Sequence, residues 1–145
     1  MEEKIKNVVN NVKEEISIVK EVDGLCYYAS KKITDDLKEN GVECDICNIN
    51  EYADVDYDHY FVLAYPREDV YLIDITYSQF AKKNAKLRFF KKWPSELLEK
   101  NNNELLQNLL SDGYAEINDS DLYDYLGSFN ESFMPVFTLD DLKER

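Results

Sequence analysis

Residues 58–76 read DHYFVLAYPREDVYLIDIT, two apolar runs rich in β-branched and aromatic residues around the turn-forming Pro66-Arg67-Glu68-Asp69. The reading is a β-hairpin. Side chains alternate along a strand, so His59, Phe61, Leu63 and Tyr65 share one face and Tyr60, Val62 and Ala64 the other. In the second run the matching set is Val70, Leu72, Asp74 and Thr76. An even-length connection pairs Tyr65 with Val70 and Phe61 with Asp74. His59 then lies opposite Thr76 and diagonal to Asp74, at a Cα separation of roughly 7–8 Å that two side chains can bridge. An odd-length connection destroys the arrangement. An acid in mid-strand between Ile73 and Ile75 also needs a partner to justify partial burial, and an imidazole N–H is a natural one.

Upstream of the hairpin, ECDICNI at residues 43–49 reads as a third strand. Before it, LCYYASKKITDDLKENG places Cys26, Ala29, Ile33 and Leu37 on one helical face, with Asn40-Gly41 as the stop. Residues 1–20 form a first amphipathic helix, with Ile5, Val8, Val9, Val12, Ile16 and Val19 as its apolar stripe. Downstream, PSELLEK (94–100) and NNNELLQNLLSDG (101–113) read as helices, the second ending at Gly113. A short strand is expected from Tyr114 to Ile117, and short helices near 121–126 and 139–143. The expected class is α+β.

The chain has 145 residues, 44% of them hydrophobic, with four Gly and three Pro, so residues 1–145 are expected to form one domain. A formal net charge of −13 argues against a phosphate-tracking surface and hence against nucleic acid as a partner. The opening MEEKIKNVVNNVKEE is charged throughout and no apolar run approaches a membrane span, so no signal peptide is expected. The expectation is a cytoplasmic protein without a membrane span, with a specialised secretion route as the alternative. Three cysteines argue against a disulfide framework. Cys44-Asp-Ile-Cys47 is a C-x-x-C string, but its thiols fall on opposite faces of a strand and further zinc ligands are lacking.

Thiol chemistry needs a thiolate, and a helix N-terminus favours one through its unpaired N–H groups and macrodipole. Cys26 stands in such a first turn. Core filling is the plainer use of a cysteine on an apolar helix face, but the chain's only histidine, His59, and the acid Asp74 give the thiol a base and an orienting group. Gln79 is a candidate amide donor to a developing oxyanion.

These residues resemble a family. Gly24-Leu25-Cys26-Tyr27-Tyr28-Ala29 is similar to the G-x-C-[W/Y]-x-A opening of transglutaminase and papain-like thiol enzymes. His59-Tyr60-Phe61-Val62 and Ile73-Asp74-Ile75-Thr76 resemble their H-x-x-V and (V/I)-D-P-T segments, with Ile75 where many relatives carry Pro. The likeness is closer to the glutamine deamidase domains of secreted bacterial effectors and mitogenic toxins, whose acid precedes a T-x-x-Q-F-like segment. Here it reads Asp74-Ile75-Thr76-Tyr77-Ser78-Gln79-Phe80.

The resemblance covers residues 22–81 as a catalytic core. It implies a papain-like or transglutaminase-like fold in which the helix bearing Cys26 packs on a small antiparallel sheet bearing His59 and Asp74. It makes Cys26 the nucleophile, His59 the base, Asp74 the orienting acid and Gln79 an oxyanion donor or part of the substrate pocket. It requires no metal or organic cofactor. The implied activity is protein glutamine deamidation of the effector or toxin type. The alternatives are a cysteine peptidase, a transglutaminase, and a non-enzymatic protein-binding module with a vestigial triad. Two features lie outside the likeness. Residues 82–92 are a basic island in an acidic chain, read as a solvated surface that could instead dock an acidic partner. Tyr123, Tyr125, Phe129 and Phe133 through Phe137 are the expected protein-contact surface or a lid.

Overall fold

The computed structural model describes residues 2–16, 25–52, 58–77 and 104–127. Within them the strands β1 (Glu43–Asn48), β2 (Tyr60–Tyr65), β3 (Val70–Ile73) and β4 (Tyr114–Ile117) form one antiparallel sheet in the order β1-β2-β3-β4. The helices are α1 (Glu2–Ile16), α2 (Leu25–Glu39), α3 (Glu104–Ser111) and α4 (Asp119–Gly127). The class is α+β, as expected.

In the hairpin, Val62 faces Ile73, Leu63 faces Leu72 and Ala64 faces Tyr71. Carried outward, this register sets Tyr65 against Val70 and Phe61 against Asp74, the even-loop alignment. β1 runs along the other edge of β2, from Glu43 opposite Tyr65 to Asn48 opposite Tyr60.

Both faces of the sheet are covered. On one, Val62, Ala64, Cys44, Tyr71 and Ile73 join the apolar stripes of α1 (Ile5, Val8, Val9, Val12, Ile16) and α2 (Leu25, Ala29, Ile33, Leu37) in a single cluster. The opening helix is thereby part of the core, and each such aliphatic side chain contributes about 1.5–3 kcal/mol by burial. Its polar edge is tied down as well, because Lys13 Nζ donates to the carbonyls of Ser111 (3.3 Å) and Asp112 (3.2 Å), at the C-terminal end of α3. On the other face Phe61, Leu63 and Leu72 are buried, and Phe61 packs edge-on against Tyr125 of α4 with ring centroids 5.1 Å apart.

Two glycines stop helices in the left-handed region. Gly41 (φ +78) follows α2, where Val42 N–H returns to Leu37 O at 2.9 Å. Gly113 (φ +86) follows α3, where its N–H reaches Leu109 O at 3.1 Å. Helix α4 begins before the expected Asp121 because Asn118 and Asp121 cap it reciprocally, side chain to backbone, at 2.9 and 3.0 Å. The end of the first helix beyond Ile16, the PSELLEK helix, the helix near 139–143 and the basic island at 82–92 lie outside the described residues.

Candidate active site

The site is built where β2 starts and β3 ends, neighbouring positions in an antiparallel pair. His59 directly precedes β2 and is fully buried. Its backbone is held on both sides by the turn that follows β1. Ile49 N–H donates to His59 O at 2.8 Å, and His59 N–H donates to Asn48 Oδ1 at 3.4 Å. The amides of Asn48 and Asn50 in turn donate to Asp58 Oδ1 at 3.0 and 2.7 Å, which fixes the residue before the histidine.

Asp74 corrects one expectation. It does not sit in mid-strand, because β3 ends at Ile73; Asp74 stands one residue beyond, where its N–H donates to Gly113 O at 2.9 Å and extends the β3–β4 register by one position. Its justification for burial is nonetheless the imidazole expected. His59 Nε2 donates to Asp74 Oδ2 at 2.7 Å. Tyr125 Oη donates to the same oxygen at 2.6 Å, while Thr76 Oγ1 and Tyr77 N–H each donate to Oδ1 at 3.1 Å. A carboxylate offers about four lone pairs, and here each has a donor. Turning the carboxylate would break all four bonds.

Cys26 occupies the first turn of α2 and is 6% exposed. Tyr27, beside it, meets Tyr60 edge-on at 4.9 Å, which brings the start of α2 to the His59 end of β2. Cys26 is close enough to contribute to the electrostatics of the His59 ring, less than Asp74 does. A carboxylate only accepts, so the Nε2 that meets Asp74 carries a proton, and Nδ1 is the other ring nitrogen. In the serine-protease arrangement the two ring nitrogens have the opposite assignment. Burial pulls the imidazole pKa down, but the charge and hydrogen bond of Asp74, with a further contribution from Cys26, outweigh it and raise His59 to about 9. A histidine so placed is readily held as imidazolium.

Gln79 lies outside the described residues. So do Phe129 and Phe133 through Phe137. Tyr125, expected on an exposed aromatic surface, is instead fully buried, and α4 turns Leu122, Tyr125 and Leu126 onto the sheet. The i, i+3, i+4 spacing of these three is the signal that sequence reasoning passed over. It is also the site residue it missed.

Cys44 and Cys47 are both buried thiols, and only Cys44 belongs to the cluster beneath α1 and α2. Burial pushes the Cys44 thiol up to about 11. Among the described residues no cluster of His, Cys, Asp and Glu could hold a metal ion, and no helix is long and apolar enough to cross a membrane. An open cavity of about 540 Å³ lies at the Glu43–Tyr65 end of β1 and β2, lined by Lys38, Cys44 and Asp45 among others. It is at the opposite end of these strands from His59. No protein-family model matches the chain, and no curated protein or solved structure matches it.

Proposed function

We propose that the chain transfers the acyl group of an amide through Cys26, His59 and Asp74, and that it is a deamidase of protein glutamine side chains. The observation that carries this reading is the fully buried imidazole of His59 hydrogen-bonded to the Asp74 carboxylate, with Cys26 near enough to influence the ring's charge. An α2 that carries the thiol in its first turn, packed on an antiparallel pair that carries His and Asp, supports a papain-like or transglutaminase-like assignment of the α+β fold.

On this reading Cys26 sulfur attacks the Gln side-chain carbonyl as its proton passes to His59 Nδ1. Helix N–H groups at the start of α2 lack intrahelical acceptors and suit the oxyanion that forms. The C–N bond breaks, His59 delivers the Nδ1 proton to the departing ammonia, and a thioester remains on Cys26. Water then loses a proton to His59 and adds to the thioester. The C–S bond breaks, the product is Glu, and the sulfur recovers its proton. A nucleophile only 6% exposed favours a substrate group that enters end-on, which a glutamine side chain does and an extended main chain does not.

The test is incubation with candidate protein substrates, measuring ammonia release, new N-termini and incorporation of an added primary amine. Ammonia release lost in Cys26→Ala supports deamidation. New N-termini without ammonia make the chain a peptidase, and amine incorporation a transglutaminase. A biological effect unchanged in both Cys26→Ala and His59→Ala overturns the enzymatic reading in favour of a binding module.

A further inference from the structure

Tyr125 is a buried ionisable group at this site that the reaction above does not use. Tyr125 comes from α4, 51 positions beyond Asp74, and its hydroxyl meets the very oxygen that receives the histidine proton. We propose that Tyr125 is a positioning residue that acts through Asp74, its phenol sharing Oδ2 with His59 Nε2–H and so setting how firmly the carboxylate holds the imidazole proton.

A hydrogen bond donated to a carboxylate oxygen draws charge from it, and a second donor on that oxygen weakens its hold on the first. The phenol is well placed for this. Its ring is locked between Phe61 at 5.1 Å and Tyr77 at 5.7 Å, and burial, with the nearby Asp74 carboxylate, keeps it in the protonated, donating form. Among the described residues, the titratable groups facing it include Asp74, Tyr77 and Cys47, and those facing His59 include Asp74 and Cys26.

With the phenol gone, Thr76 and Tyr77 still hold Oδ1, so the carboxylate stays in place and its charge concentrates on the bond to His59. The imidazolium is then held more tightly. A histidine that keeps its charge too firmly is a poor acid toward departing ammonia, so Tyr125 would preserve the release step. This role rests on the Cys26–His59–Asp74 reading of the site.

The chain has a single histidine, so its imidazole signals belong to His59 without further assignment. The experiment is a ¹⁵N NMR titration of that ring in the full chain with Tyr, Phe and 3-fluorotyrosine at position 125. Tyr125→Phe is expected to raise the His59 midpoint by about half to one pH unit, and the more acidic fluorophenol to lower it. Midpoints that do not move, or that move in the same direction, overturn the proposal. If Tyr125→Phe fails to fold, the fluorotyrosine chain decides alone, a lower midpoint supporting the role and an unmoved one ending it. Cys26 alkylation, compared between the unmodified chain and His59→Ala, separates the two readings. Alkylation independent of His59 overturns the enzymatic reading, whereas His59-dependent alkylation with unmoved midpoints overturns only the role of Tyr125.

Discussion

The N–H of Asp74 is bonded to the carbonyl of Gly113 at 2.9 Å, so the glycine that follows α3 holds the site's carboxylate in place at the end of β3. Gly113 has φ +86, and a Cβ there would stand 2.9 Å from Ile75 Cγ2. Gly113→Ala is therefore expected to cost about 1–3 kcal/mol in chemical denaturation. It should also shift the His59 NMR titration, because Ile75 cannot yield without moving its neighbour. Gly41→Ala, where a Cβ meets only open space, is the control. It carries the φ penalty but should leave His59 unmoved.

Asp74→Asn tests the proton assignment. The new amide nitrogen cannot face the fixed N–H of Tyr77, so it takes the Oδ2 place and donates to His59 Nε2. That forces the neutral ring to carry its proton on Nδ1, the nitrogen needed to accept one from Cys26. Deamidation is expected to fall by about 10²–10⁴-fold. The ¹⁵N spectrum should report the exchanged tautomer.

Iodoacetamide should modify Cys26 ahead of the other two thiols. Exposure does not separate the three thiols, but burial pushes the Cys44 thiol up to about 11, and Cys26 stands in the first turn of α2, where helix N–H groups favour a thiolate. In His59→Ala the Cys26 rate at neutral pH is expected to drop about tenfold or more, because the base of the proposed triad is gone. Peptide mass spectrometry of each thiol is the measurement. Equal rates in both chains would count against the triad.

Stability should depend on pH through this one histidine. Its pKa is raised in the folded chain from the ordinary 6.5 to about 9, so folding favours the charged ring. The associated stabilisation is fully present below pH 6.5 and is lost as pH rises through about 9. The amount is on the order of 3 kcal/mol. Urea midpoints across this window should decline in the unmodified chain and flatten in His59→Gln.

The opening helix should behave as core. Ile5 is fully buried in the cluster shared by α1, α2 and the sheet, and Ile5→Ala is expected to cost about 2–5 kcal/mol. A change at Lys6, exposed on the opposite side of α1, should fall within about 0.5 kcal/mol. Thermal unfolding of the two variants separates a core helix from an appendage.

Much of the hairpin could be read from residues 58–76 because strand alternation and an even loop leave one register that keeps His59 and Asp74 on a common face. The helices were legible for a similar reason. Apolar steps of three and four mark α1 and α2, and Asn40-Gly41 and Gly113 mark helix ends. What stayed hidden depends on contacts distant in sequence. The Asp74 N–H is held by a carbonyl 39 positions away, and Tyr125 reaches its carboxylate from 51 positions away. Composition made that tyrosine look like surplus aromatic surface, since eleven tyrosines exceed the needs of a small core. Its neighbours Leu122 and Leu126 show that it faces inward.

The carboxylate that steadies the histidine also imposes an order in time on the nascent chain. A ribosome that has just delivered β3 has already placed Cys26, His59 and Asp74 in one polypeptide, yet the Gly113 carbonyl and the Tyr125 hydroxyl have not been synthesised. The carboxylate therefore gains its full set of donors only after α4 has emerged and docked.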